Sequence, residues 1–260
     1  MMERQSSKWA STGRLLVAGV AAAGSLALGT GVASADGTQT PVGAPTIRIG
    51  VTEFGNTAVP NTTPRQEYFR LPSLQAGDLV TVSARTPPDS GGHRACLAAD
   101  VDAYNWQQEG CNLSRDDTFG NDGRRMQFRA NRSTNNAFLR VQAMYGYSAG
   151  AFEVTVERIQ RQVGLAVNAP AQLSTSGTVT VDARLTTGQH VPDGYGIQLT
   201  VRVNGRDHGY VARTRGGRAT FKLALPGDAA DRSATVTARS PELSQYQAAS
   251  SIPRNLRIVK

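Results

Sequence analysis

The chain has 260 residues, with 28 Lys or Arg against 20 Asp or Glu, a net charge of +8 and only 6% aromatic residues. Its two cysteines and three histidines do not supply the closely spaced ligand pairs of a Cys/His zinc site, and they form no Cys-x-x-Cys redox motif. Few aromatics, with β-branched segments at short intervals, speak against a helical enzyme and for an all-β chain.

Arg4, Lys8 and Arg14 flank the start of the apolar run LLVAGVAAAGSLALGTGVA, which closes on Ala33-Ser34-Ala35 before Asp36. A basic region, an apolar core and a small-x-small exit describe a cleavable secretory signal over residues 1–35. The alternative is a retained membrane helix. No later run approaches the ~20 apolar residues that cross a bilayer, so the mature chain is expected to lack a transmembrane segment and to be secreted or held at the cell envelope. Lys8, Lys222 and Lys260 are the only lysines beside many arginines, a bias of G+C-rich, actinobacterial type.

Residues 36–44, within DGTQTPVGAPT, read as a flexible leader. Alternation then begins with Ile47, Ile49 and Val51 on one face, the mark of a half-buried strand. It returns in EYFRL, DLVTVSA, RMQFRA, AFLRVQAMY and AFEVTVERI. Short strands with frequent turns predict an antiparallel sandwich over 45–160. After the charged junction ERIQRQ a second sandwich is expected over 162–260, from VGLAV, TVTVDARL, IQLTVRV, ATFKLAL, SATVTA and YQAASSI. Asn204-Gly205 signals a type I′ hairpin, because both residues tolerate positive φ. Gly216-Gly217 reads as a hairpin turn, since no helix follows to make a phosphate loop.

In the first half, QEYFRLPSLQAGDLVTVSA, DVDAYNW and FLRVQAMYGYSAGAFEVTVERI follow one another in an order that resembles the bacterial pre-peptidase C-terminal domain, a jelly-roll-like sandwich. DVDAYNW departs from the family's Asp-Leu-Tyr core, so the resemblance implies the fold and not a shared ligand. The second half, with GTVTVDARL, GIQLTVRVNG and GGRATFKLALP, resembles bacterial immunoglobulin-like domains. Both resemblances imply architecture, and architecture leaves function open.

Cys96 and Cys111, an isolated pair in an exported chain, are read as a disulfide. Between them, Tyr104 and Trp106 are two apart and are expected to face the same side of a strand or extended loop, and Tyr145 and Tyr147 repeat the spacing. Exposed, these rings would form a ligand platform for sugars or a protein partner; buried, Trp106 would fill the sandwich core. Asp100, Asp102, Asp116, Asp117, Asn121 and Asp122 are candidate calcium ligands, with solvated turns as the plain alternative.

No G-x-S-x-G or H-E-x-x-H occurs, and His93 and His208 read as surface residues in loops or turns, so no catalytic residue and no cofactor is assigned. Charge is the better guide to partners. Residues 47–160 carry twelve basic and twelve acidic side chains, whereas residues 162–260 carry twelve basic and six acidic. Arg202, Arg206, Arg213, Arg215 and Arg218 gather around one hairpin as a candidate anion-binding patch, the alternative being a solvated face. Outside the cell such a patch meets envelope polymers or extracellular proteins and not nucleic acid. The expected function is a non-catalytic binding or adhesive module. The rival is an accessory to a separately encoded secreted hydrolase, because pre-peptidase domains accompany proteases.

Overall fold

Strands that bury every second residue must pair two sheets face to face, and the chain does so twice. The computed structural model describes residues 40–57, 66–88, 90–100, 110–144 and 150–260. Among these, the first half forms β1 (Thr52–Asn56), β2 (Gln66–Arg70), β3 (Leu79–Arg85), β4 (His93–Ala99), β5 (Asp117–Phe119), β6 (Arg124–Arg129), β7 (Ala137–Ala143) and β8 (Ala151–Gln160). They pair antiparallel in the orders β1-β8-β3-β6 and β2-β7-β4-β5. Phe69, Val80, Val82, Leu97, Phe128, Leu139 and Phe152 fill the space between. Each such side chain contributes about 1.5–3 kcal/mol by leaving water.

The second half forms β9 (Val163–Asn168), β10 (Gln172–Ser174), β11 (Thr178–Leu185), β12 (Gly196–Val203), β13 (Arg206–Arg213), β14 (Arg218–Lys222), β15 (Ser233–Ser240), β16 (Ala249–Ser250) and β17 (Arg254–Val259). One sheet runs β14-β11-β9; the other runs β10-β17-β15-β12-β13, with β16 also on β15. Among the strands described, only β10 and β17 pair parallel. Val179, Val181, Ile197, Leu199, Val201, Phe221, Val236 and Ile258 form the core. Asn204 (φ 51°) and Gly205 (φ 74°) make the β12–β13 turn, with Val203 paired to Arg206. Gly216 (φ 57°) and Gly217 (φ 73°) turn the chain between Arg215 and Arg218. The chain is thus all-β, built of two β-sandwiches.

Several local expectations need correction. No strand runs through Ile47, Ile49 and Val51: Gly50 takes φ 79°, the Val51 N–H donates to the Arg48 carbonyl in a turn, and Ile49 is 49% exposed. The strand starts one residue later, at Thr52. Residues 40–44 do not trail as a leader. Ala44 packs with Tyr68, Ala98 and Phe138 on the outer side of β2, β4 and β7, and the Pro45 carbonyl accepts from the Arg70 N–H at 2.7 Å. YQAASSI yields only the two residues of β16, and the last strand is β17. His208 lies within β13.

Cys96 and Cys111 are joined, with Cα atoms 5.6 Å apart. The bond has a use beyond closing a loop, because β5 covers only the first three residues of β4. Beyond them the edge of β4 is completed by residues 112–114: the Leu97 N–H donates to Ser114 Oγ at 2.9 Å, and the Asn112 amide pairs with both the N–H and the carbonyl of Ala99 at 2.7 and 2.8 Å. The staple holds this segment of side chains in the place of a strand. Replacing both cysteines with Ala should lower unfolding stability by about 3 kcal/mol for this 15-residue separation, with the β-sheet circular dichroism retained. Urea titration measures the loss.

The two sandwiches meet at the junction read as ERIQRQ. Arg161 donates to Asp78, whose carboxyl is buried, and burial pushes that carboxyl up against the pull of the Gln75 N–H and of Arg161. Gln247 reaches across to the carbonyls of Gly77 at 2.7 Å and Gln160 at 3.1 Å, while Gln160 donates to the Leu243 carbonyl at 2.7 Å. The linker is therefore hydrogen-bonded to both halves.

His93 is the largest departure from expectation, for it is fully buried, stacked on Phe119 and tilted against Phe152. Nδ1 lies 2.9 Å from the Gly91 carbonyl, which can only accept, so Nδ1 carries the proton and Nε2 accepts from the Thr57 hydroxyl at 2.9 Å. Burial holds this imidazole below its ordinary value of 6.5, outweighing the Gly91 and Gly150 carbonyls. In the unfolded chain His93 takes up a proton near 6.5; in the fold it resists. Its stabilising contribution is full above 6.5 and is lost as pH falls below it. Stability should fall by at most about 1.4 kcal/mol per pH unit from this group, and His93→Gln should flatten that slope in urea melts taken at a series of mildly acidic pH values.

Candidate functional site

A sandwich offers ligands its outward rows and its edges. On the outer face of the larger sheet of the second half, β12 presents Gln198, Thr200 and Arg202, and β15 presents Ser233, Thr235, Thr237 and Arg239. Register pairs Thr200 with Thr237, Arg202 with Thr235 and Gln198 with Arg239. Thr200, Arg202, Asp207, Thr235, Thr237 and Arg239 line a trough of about 360 Å³. Its floor is made of half-buried threonines, of which Thr235 donates its hydroxyl to Asn255 Oδ1 at 2.9 Å and can still accept, and its two ends carry guanidinium groups.

Arg202 is held in a fork by Asp207, with bonds of 2.6 and 2.9 Å. These bonds hold the Asp207 carboxyl below the usual carboxylate range. Arg239 is exposed and makes no ion pair among the described residues. The trough therefore holds two cations and one carboxylate, and that carboxylate is taken by Arg202. A trough of the first half, about 450 Å³ and lined by Arg85, Arg124, Arg125 and Glu153, differs in this respect. There Arg85 pairs with Glu153, Arg124 with Asp117 and Arg125 with Glu157, at 2.6, 3.0 and 2.8 Å. It has no uncompensated cation to offer.

The candidate arginines do not form one patch. Arg206 and Arg213 stand at opposite ends of β13, roughly 23 Å apart along a strand. Arg218 is held by Asp182 at 2.8 Å, Arg213 donates to the Gly194 carbonyl at 3.2 Å, and Arg206 and Arg215 are exposed. Only Arg202 lines the trough. Arg239 and the threonines were missed, although SATVTARS carries the signal: its polar residues recur every second position and so must share a face.

Tyr104, Trp106, Tyr145, Tyr147 and Asp102 lie outside the described residues. The other candidate calcium ligands are engaged or exposed. Asp100 accepts from Thr134 at 2.9 Å and pairs with Arg132, Asp116 pairs with Arg94, Asp117 pairs with Arg124, and Asn121 and Asp122 are exposed. Among the described residues no group of three or more His, Cys, Asp or Glu is placed to hold a metal ion. The Thr57 hydroxyl and His93 stand at hydroxyl-to-base distance, but they are 2% and 0% exposed, so substrate has no access to the pair.

The Arg202–Asp207 fork competes with any anion for the same guanidinium. Asp207→Asn should leave the melting temperature nearly unchanged, since exposed ion pairs contribute little, and should tighten binding of a short anionic oligomer, which spans one trough only, several-fold. Isothermal titration against triglutamate measures it.

No protein-family model matches the chain, and no curated protein matches its sequence. Among solved structures, the adhesin domain of Epf from Streptococcus pyogenes is 9% identical, with 80% of this chain and 76% of that one covered and a TM-score of 0.34. A two-domain fibronectin type-III segment of chicken tenascin is 11% identical, with 70% and 93% covered and a TM-score of 0.26. A beta-1,2-glucanase from Parabacteroides distasonis is 11% identical, with 75% and 30% covered and a TM-score of 0.23. These are distant likenesses and say nothing of ligand or activity.

Proposed function

We propose that the chain is a non-catalytic exported binding module, and that the outer face of β12 and β15 retains an anionic polymer of the envelope or its surroundings. The observation that carries this reading is the threonine-floored trough between Arg202 and Arg239, with one carboxylate for two cations. Carboxylate or phosphate groups spaced along a chain would meet the guanidiniums, and the hydroxyls between would bond the polymer's uncharged oxygens. Export is supported by the N-terminal pattern and by the disulfide, which belongs to an oxidising compartment. The kinship of the first sandwich with pre-peptidase C-terminal domains belongs to the same proposal and is supported by the quoted motifs alone.

Exposed charges act through a field that salt screens beyond about 8 Å at physiological ionic strength. Retention of the full chain on immobilised polyglutamate or polyphosphate should therefore weaken as salt rises. Arg202→Glu with Arg239→Glu should weaken it by at least about tenfold, with unchanged circular dichroism. Arg85→Glu with Arg125→Glu, in the trough of the first half, should have little effect. Equal losses from the two pairs would refute the assignment.

A further inference from the structure

The strand beside the trough, β13, ends its sheet with one edge open. The β12–β13 hairpin closes on Val203 and Arg206, and the ladder runs on in register to Gly196 and Arg213. In a two-residue hairpin the closing pair is hydrogen-bonded and the bonded pairs then alternate. His208, Tyr210 and Ala212 therefore turn their backbone groups toward β12, while Asp207, Gly209, Val211 and Arg213 turn theirs outward. Among the described residues no backbone hydrogen bond outside the strand ladders involves these four. β14 leaves at the Gly216–Gly217 turn for the opposite sheet.

Exposed edges are ordinarily blunted by charge, proline or a bulge. β6, the edge strand next to β3, carries Arg124, Arg125 and Arg129. The middle of β13 has none of these devices: it reads Gly209, Tyr210, Val211, Ala212, and Val211 is 77% exposed. The four residues of the open edge also share the outer face with the trough, in the order Asp, Gly, Val, Arg.

We infer that β13 pairs antiparallel with β13 of a second copy of this chain, about a two-fold axis at Tyr210. That register matches the open edge with itself. Asp207 of each copy meets Arg213 of the other, and Val211 of each lies over Gly209 of the other, where the missing side chain leaves room. All four pairs use the outward-turned backbone groups. A shift of two residues along the partner destroys the charge match, so the same sequence that permits pairing also fixes its register. The axis is perpendicular to the sheet, as an isologous antiparallel edge requires. Both troughs therefore lie on the same side of one continuous sheet, and a long ligand can engage both. The pairing itself does not depend on what the troughs hold.

The test is sedimentation equilibrium of the full chain across a concentration series, with circular dichroism of every variant. The wild type should form a dimer whose midpoint rises at least about tenfold in Val211→Lys. Asp207→Arg and Arg213→Asp should each be monomeric alone, because each puts like charges opposite one another. An equimolar mixture of the two should dimerise, since every cross-pair then joins Arg to Asp. A wild type that stays monomeric would overturn the inference. So would a dimer indifferent to Val211→Lys, or single reversals that the mixture fails to rescue.

Discussion

Period-two alternation governs what this molecule can present. A strand that buries Val201 and Val203 must turn Thr200 and Arg202 outward, and β15 must do the same with Thr235, Thr237 and Arg239 while it buries Val236 and Ala238. The β12–β15 register then brings the two polar rows side by side. The threonine floor and its arginine ends thus follow from the core residues beneath them, without any loop. That matters for a binding role, because residues on paired strands are held more firmly than residues on loops.

Charge separates the two sandwiches in their surfaces more than in their folds. Both expose arginine-bearing sheet faces, yet those of the first half are matched by Glu153, Glu157 and Asp117. Glu157, for example, accepts from Ser83 and Arg125 and is held below the usual range by both. A matched face gains little from an anion, because the incoming group must displace a carboxylate already in place. The second half has twice as many basic as acidic residues, and the surplus shows at Arg239. The first half carries its own reinforcement in the Cys96–Cys111 bond and its strand-completing segment, and the hydrogen bonds of Gln160, Arg161 and Gln247 tie it to the second.

Much of the fold was legible because alternation survives wherever one face is wet. Thr178–Leu185 could be read to the residue, and Gly196–Val203 to within one, its start being expected at Ile197. The reading weakened where both faces are covered: β2 buries Gln66, Glu67, Tyr68 and Phe69 in succession, and nothing in EYFRL announces the cover supplied by residues near Ala44. His93 was misjudged for a related reason. Its neighbours Ser90, Gly91 and Gly92 look like a loop, and only the fold brings Phe119 and Phe152 against the ring. Among the arginines, sequence shows how many are close along the chain but not which carboxylates reach them. Asp182, far from Arg218 in sequence, removes that side chain from any patch. Arg239, outside the run of arginines near the hairpin, enters the site only through the pairing of β12 with β15.

The proposal that this chain meets its ligand on the outer face of β12 and β15 rests on the trough between Arg202 and Arg239. It is tested most directly by titrating the isotopically labelled chain with a short anionic oligomer, such as hexaglutamate, and following the backbone amide and arginine side-chain resonances by NMR. The largest shifts should fall on Thr200, Arg202, Thr235, Thr237 and Arg239 and disappear together as salt is raised. Shifts centred on the first sandwich, or spread evenly over the arginines of both halves, would contradict it.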